Sequence, residues 1–206
     1  MDSVSASKRI LAAGLFVTAV SVVTACSGRP PDDPKEYTAK IEAFRAAKDA
    51  DFKNTDDPVP ADRKAAVLPL AYYPVNPDYH LSAALRELDD KPALKMLTST
   101  GKLRDMRKVG TLEFTLNGQL LSLGAYTETD LRTLFVPFRD LTSDGETYGS
   151  GRYLDLKRTG TGFYELDFNL AYNPYCYYNV SYECPIPPPD SRLQVRIEAG
   201  EKIKAH

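Results

Sequence analysis

Asn117-Gly118 is the residue pair that most restricts how this chain folds. Both residue types tolerate positive φ, which a two-residue type I′ hairpin demands at its two central positions. Such a loop pairs Leu116 with Gln119, Phe114 with Leu121 and Leu112 with Leu123. In that register the apolar partners share one face, and a slip by one residue would send every one of them to the other. Turn chemistry and hydrophobic alternation agree on an antiparallel hairpin over a buried core.

Residues 68–73 and 79–85 also alternate apolar with other side chains, and residues 134–138, 152–157, 163–169 and 193–198 read as further strands. Arg158-Thr-Gly-Thr-Gly162 turns the strand at 152–157 into the one at 163–169. Ahead of them the sequence predicts one helix, with Asp33 as N-cap, Pro34 at the first helical position and Glu36 at the third, a capping-box pattern. Tyr37, Ile41 and Phe44 recur at helical spacing and are expected to face the core; the helix closes near Phe52, and residues 54–63, rich in Asp and Pro, form a loop. With 43% apolar residues there is enough material for a core, and no repeat or low-complexity stretch divides it. The expected fold is β-rich α+β: a mostly antiparallel sheet, or a sandwich or barrel-like core, with an N-terminal helix, all in one domain over residues 34–206.

The first residues follow a different logic. Lys8 and Arg9 precede an apolar stretch, residues 10–23, which is 14 residues long. A membrane-spanning helix needs roughly 20. Val23-Thr24-Ala25-Cys26 then places small residues before a cysteine, the pattern of a lipobox. The reading is a cleavable signal over residues 1–25, a lipidated Cys26 and a polar tether over residues 26–33; the alternatives are an ordinary secretory signal cut after Ala25, with Cys26 a bystander, or a plain transmembrane anchor. Lipidation makes the membrane a partner and places the domain outside the cytoplasm, facing the periplasm or the exterior. Removing residues 1–25, with Lys8, Arg9 and Asp2, changes the formal charge from −2 to −3. That balance supplies no basic face, so nucleic acid is not an expected partner.

From Phe138 onward the chain carries a series of short blocks. Phe138-Arg-Asp-Leu-Thr142 and Thr147-Tyr-Gly-Ser-Gly-Arg-Tyr153 are followed by Leu166-Asp-Phe-Asn-Leu-Ala-Tyr-Asn-Pro-Tyr-Cys176. Cys184-Pro-Ile-Pro-Pro188, Leu193 and Ala199-Gly-Glu-Lys202 complete the order. In this order the chain resembles the bacterial domain-of-unknown-function family 1684, most strongly over residues 135–202. The resemblance implies no reaction. Members carry an Asn soon after the prolines where this chain has Pro189-Asp190-Ser191-Arg192, so the task of that Asn passes to Asp190 or Ser191 or is lost.

Cys176 and Cys184 form an even pair once Cys26 is assigned to lipid. An exported chain meets oxidising conditions, and a disulfide across seven intervening residues would contribute roughly 2–3 kcal/mol. Free thiols, or metal or redox chemistry, are the alternatives, although the spacing lacks the second ligand pair of a zinc site and is not C-x-x-C. No metal and no cofactor is expected from the sequence.

Arg152, Asp167, Asn169, Asn173, Glu201 and Lys202 make up a polar set with two readings. In one, Arg152 orients a substrate while Asp167 or Glu201 moves protons in a cleft. In the other, Arg152 pairs a carboxylate such as Asp167, and the asparagines tie down turns. Tyr153 and Tyr175, with Asn169, Asn173 and Lys202, are candidate binding residues, and Tyr172, Tyr175, Tyr177, Tyr178 and Tyr182 crowd around the cysteines, where exposed rings would stack on a sugar or a partner surface and buried ones would pack the loop. A histidine-based nucleophile would rest on His80 alone, and there is no G-x-S-x-G elbow. The leading expectation is therefore a binding or structural module of the cell envelope, and the second an enzyme that works without histidine.

Overall fold

The computed structural model describes residues 33–128 and 132–204. The proposed signal, Cys26 and nearly all of the tether lie outside the described residues. Helix α1 spans Pro34–Asn54, and the Asp33 side chain caps it by accepting the Lys35 backbone N–H at 2.9 Å. Two short helical turns follow elsewhere, α2 at Lys64–Val67 and α3 at Tyr175–Tyr178. The strands are β1 His80–Glu87, β2 Ala93–Leu97, β3 Leu103–Leu116, β4 Gln119–Thr127, β5 Thr133–Phe138, β6 Arg152–Lys157 and β7 Phe163–Asp167.

The strands form one antiparallel sheet in the order β6-β5-β4-β3-β1-β7, with β2 pairing part of β3. β6 and β7 stand at opposite ends of that order, yet only residues 158–162 connect them. So short a link brings the two ends of the sheet together, and a twisted sheet curls into a nearly closed barrel. The β3–β4 hairpin has the expected register: Leu116 faces Gln119, Phe114 faces Leu121 and Leu112 faces Leu123. Asn117 and Gly118 sit at φ +51° and +78°, as the type I′ loop requires. Leu112, Phe114 and Leu123 meet Leu134, Val136, Leu154 and Leu166 inside the barrel.

Four expectations are corrected. Residues 68–73 form no strand; Pro69 has no N–H to give a ladder, and the segment is tied by Tyr73 N–H to Gly200 C=O at 3.0 Å and Lys202 N–H to Ala71 C=O at 2.8 Å. Residues 193–198 form no strand of the sheet, and only Leu193 and Ile197 among them are buried. Leu193, Ile197 and Ala199 enter the core, while the carbonyls of Ile197, Ala199 and Glu201 turn to the Arg152 guanidinium instead of to a strand. β7 ends at Asp167, whose side chain accepts the Asn169 N–H at 3.0 Å and starts a 3₁₀ turn over Phe168–Leu170. On α1, Tyr37, Ile41 and Phe52 are buried, but Phe44 is 49% exposed. It stands at the mouth of a cleft.

Candidate functional site

The polar residues singled out from the sequence occupy three separate places. Arg152 is 1% exposed and pairs with Asp140 at 3.2 Å, not with Asp167. It donates also to the carbonyls of Ala199, Ile197 and Glu201 and lies over the Phe138 ring. Asp140 in turn accepts the Ile197 N–H at 2.8 Å and the Thr142 hydroxyl. Burial pulls the guanidinium pKa down despite the Asp140 charge. The arrangement fastens the C-terminal segment to the barrel, and its five guanidinium donors suit it to gathering several carbonyls.

Glu201, also 1% exposed, accepts from Lys48 of α1, from the Tyr178 hydroxyl and from the Asn173 N–H at 2.7 Å. Asn173 gives its side-chain amide to the Lys202 carbonyl at 3.1 Å, and the Lys202 ammonium lies over the Tyr73 ring. Asp167 accepts the Tyr37 hydroxyl at 2.9 Å, and Asn169 bonds the same hydroxyl and the Asn76 backbone. Tyr37 stacks on His80, whose Nδ1 lies 4.0 Å from Asp167, beyond direct hydrogen bonding. Arg152, Asp167, Asn169 and Glu201 therefore open on no common cleft. They hold α1 and the C-terminal segment against the barrel.

Cys176 and Cys184 stand as free, buried thiols in this structure. They are nonetheless juxtaposed: the Cys176 N–H points to the Cys184 sulfur at 3.1 Å. The Cys184 thiol donates to Cys176, which pulls the Cys176 pKa down to about 6 and pushes that of Cys184 up. Asp190 and Ser191 both carry ties: Asp190 accepts from Tyr126 at 3.1 Å, and the Ser191 hydroxyl accepts the Gly124 N–H at 3.3 Å.

A cleft of about 570 Å³ opens between α1 and the outer face of β5 and β6. Alternation on β6 places Leu154 and Leu156 in the core and turns Tyr153 and Asp155 outward, where Asp155 faces Phe135 across the strand pair. Phe135 and Tyr153 meet edge to face at 4.7 Å, and Tyr153 and Tyr172 at 5.8 Å, so the floor is a run of rings. Phe44 and Tyr175, 49% and 43% exposed, stand at the mouth. Tyr153 spends its hydroxyl on the Pro185 carbonyl, and Tyr172 donates to Asp155 at 2.6 Å. Although solvent reaches it, the Asp155 carboxylate is hemmed in by the cleft walls, and that desolvation raises its pKa against the opposing Tyr172 bond. A second cleft of about 600 Å³ under the first turns of α1 shares Phe44, Asp155 and Tyr172 with the first.

Residues 65–202 match the model of the family described as "Protein of unknown function (DUF1684)". The chain belongs to the DUF1684 family. It is also similar to the uncharacterized protein from gene locus rrnAC0354 of Haloarcula marismortui, solved by solution NMR. The identity is 33%, with 82% of this chain and 96% of that one covered and a TM-score of 0.65. No curated protein matches. The DUF1684 blocks seen in the sequence map onto the ties just described: Asp140, Arg152, Asp167, Asn169, Asn173 and Glu201 all belong to them.

Of the binding candidates, Tyr153 and Tyr175 line the cleft, whereas Asn169, Asn173 and Lys202 do not. Lys48 and Asp140 were missed, and Tyr178 was read only as one of the tyrosines around the cysteines, because the pairings with Glu201 and Arg152 form only in the folded chain. Asp155 and Tyr172 were legible in principle. In Tyr153-Leu-Asp-Leu-Lys157 the aspartate takes the outward phase beside a tyrosine, and the block Leu166–Cys176 contains Tyr172.

Proposed function

We propose that this chain is a lipid-anchored binding module of the cell envelope, and that its ligand site is the aromatic cleft between α1 and the β5–β6 face. One contrast supports the reading: the motif's polar residues are consumed in buried ties, while Asp155, Tyr172, Phe44 and Tyr175 line a solvent-reachable cleft. Concave sites with aromatic walls and a few polar groups are the usual form of small-ligand pockets. The anchor rests on the lipobox at Val23-Thr24-Ala25-Cys26 behind a basic and apolar leader. Since α1 begins at Pro34, eight residues beyond Cys26, an extended tether spans at most about 28 Å, which keeps the cleft near the bilayer. Under export, Cys176 and Cys184 oxidise to a disulfide that closes the tyrosine loop beside the cleft.

Two measurements test this. Intact mass of protein taken from host membranes gives a chain starting at a diacylglyceryl-modified Cys26, and Cys26→Ala moves the protein to the soluble fraction. Recovery of an uncut, unmodified chain from the cytoplasm would sink the anchor. For the site, ligand-observed NMR with a set of small aromatic and sugar-like probes shows saturation transfer that Phe44→Ala with Tyr175→Ala abolishes. Transfer unchanged in that double variant removes the cleft from the proposal.

A further inference from the structure

The charges around the cleft are unequally satisfied. Lys48 is held by Glu201, Arg104 pairs with Glu128 at 3.2 Å and donates to the Glu183 carbonyl at 2.6 Å, and Glu183 pairs with Lys102 at 3.2 Å. Asp155 differs from all of these. Its partner is the neutral Tyr172 hydroxyl, and among the described residues no Lys or Arg nitrogen pairs with it. An outward-facing carboxylate in an aromatic-walled cleft, with no counter-charge beside it, is a group that a cation entering the cleft would pair. The walls suit the same guest. Aromatic faces attract ammonium groups through the ring quadrupole, and the Tyr172 ring already hosts one, with the Lys48 nitrogen 5.1 Å from its centroid. That ammonium is neutralised by Glu201, so it does not stand as a free charge against a second cation.

From this we infer that the cleft selects a small organic cation: an ammonium group set against Asp155, with an apolar body held between Phe44, Tyr175 and the ring floor. The inference rests on the cleft being the binding site and adds the ligand's charge. An anionic guest would meet Asp155, and Lys48 and Arg104, the cations that line this cleft, are already committed; Lys40 and Lys157 line the adjoining one. A neutral guest would leave the carboxylate without a counter-charge.

The experiment uses the full chain in detergent micelles and follows amide shifts during titration with four probes of one shape: benzylammonium, benzyltrimethylammonium, benzyl alcohol and phenylacetate. Benzylammonium binds at least ten-fold tighter than benzyl alcohol, and phenylacetate shows no saturable shift. In Asp155→Asn, which keeps the side-chain shape, the preference for benzylammonium over benzyl alcohol falls below three-fold. If benzyltrimethylammonium matches benzylammonium, ring faces and charge suffice; if it is much weaker, an N–H donor to Asp155 is also required, and either result keeps the cation selectivity. Equal affinity of the wild-type chain for benzylammonium and benzyl alcohol overturns the inference but leaves the cleft as the site. No response of cleft amides to any of the four probes overturns both. The wild-type comparison stands by itself if the Asp155→Asn chain does not fold.

Discussion

The β3–β4 hairpin and the C-terminal segment at residues 193–203 both bury apolar side chains in the same barrel, but they are held in different ways. The hairpin carries its own ladder, from Arg107↔Thr127 to Leu116↔Gln119 with one bulge, so its backbone groups satisfy each other. The C-terminal segment lies outside the sheet, and side chains and backbone groups from distant positions together satisfy its backbone. Arg152 takes three of its carbonyls, Asp140 takes the Ile197 N–H, and the Ala171 carbonyl takes the Glu201 N–H. A segment fastened in this way needs particular residues elsewhere in the chain. That explains how charged residues such as Arg152, Asp140 and Glu201 come to be buried here.

The strongest way to break the comparison is Arg152→Met. It keeps volume but leaves Asp140 buried without its counter-charge and three carbonyls without a donor, a loss expected to reach about 3–5 kcal/mol. Chemical denaturation measures it. A loss below about 1 kcal/mol would mean that the segment docks by apolar contact alone.

Two glycines sharpen it. Gly118 in the hairpin and Gly200 in the C-terminal segment share φ +78°, so alanine imposes the same backbone strain at both, about 1–2 kcal/mol. Their surroundings differ. A Cβ at Gly118 meets nothing within 4 Å, whereas one at Gly200 falls 2.6 Å from the Ala171 carbonyl oxygen and 2.7 Å from that of Phe168. Gly200→Ala is expected to lose a further ~1–3 kcal/mol by overpacking. Equal losses at the two positions in parallel unfolding curves would contradict the close docking of the segment.

The cysteine pair tests the loop next to it. Oxidation to a disulfide is expected to stabilise the chain by roughly 2–3 kcal/mol, seen as a higher melting temperature than in dithiothreitol. In the reduced protein Cys176 ionises near pH 6, so iodoacetamide labels it half-maximally there, while Cys184 labels only at much higher pH. Equal labelling of the two near pH 8.5 would show that the thiol–thiol hydrogen bond does not form.

How much of this was legible in the sequence follows the same division. Asn117-Gly118 fixed a register because a turn is a local event, and Asp33-Pro34 fixed a helix start for the same reason. The pairing of Arg152 with Asp140 was not legible, since Asp140 and Asp167 look alike until the barrel closes. Phe44 was misplaced because helical spacing reports which residues share a stripe and not how wide the packed part is; α1 packs at Tyr37 against His80 and Asp167 and at Phe52 against Val67, Leu70 and Tyr178, while Phe44 between them lines an open cleft. The cleft itself needed the fold. It is made where α1, β6 and the tyrosine loop meet, and no window of sequence contains all three.

Asp155→Asn should change stability least, because a residue in the cleft ties down no backbone. The expected effect is within ~0.5 kcal/mol at neutral pH, with a sign that changes with pH. Desolvation raises the folded-state pKa of Asp155 above the ordinary 3.8, so the folded chain binds its proton more tightly than the unfolded chain does. That contribution is fully present below the unfolded value and is lost as pH rises through the folded one. Relative to Asn, the aspartate is therefore most favourable in acid and least favourable at pH 7. Urea unfolding of both chains from pH 3.5 to 7 shows the difference moving in that direction. A difference moving the other way would mean that Asp155 already has a cationic partner, and would remove with it the reason for the cleft to recruit one.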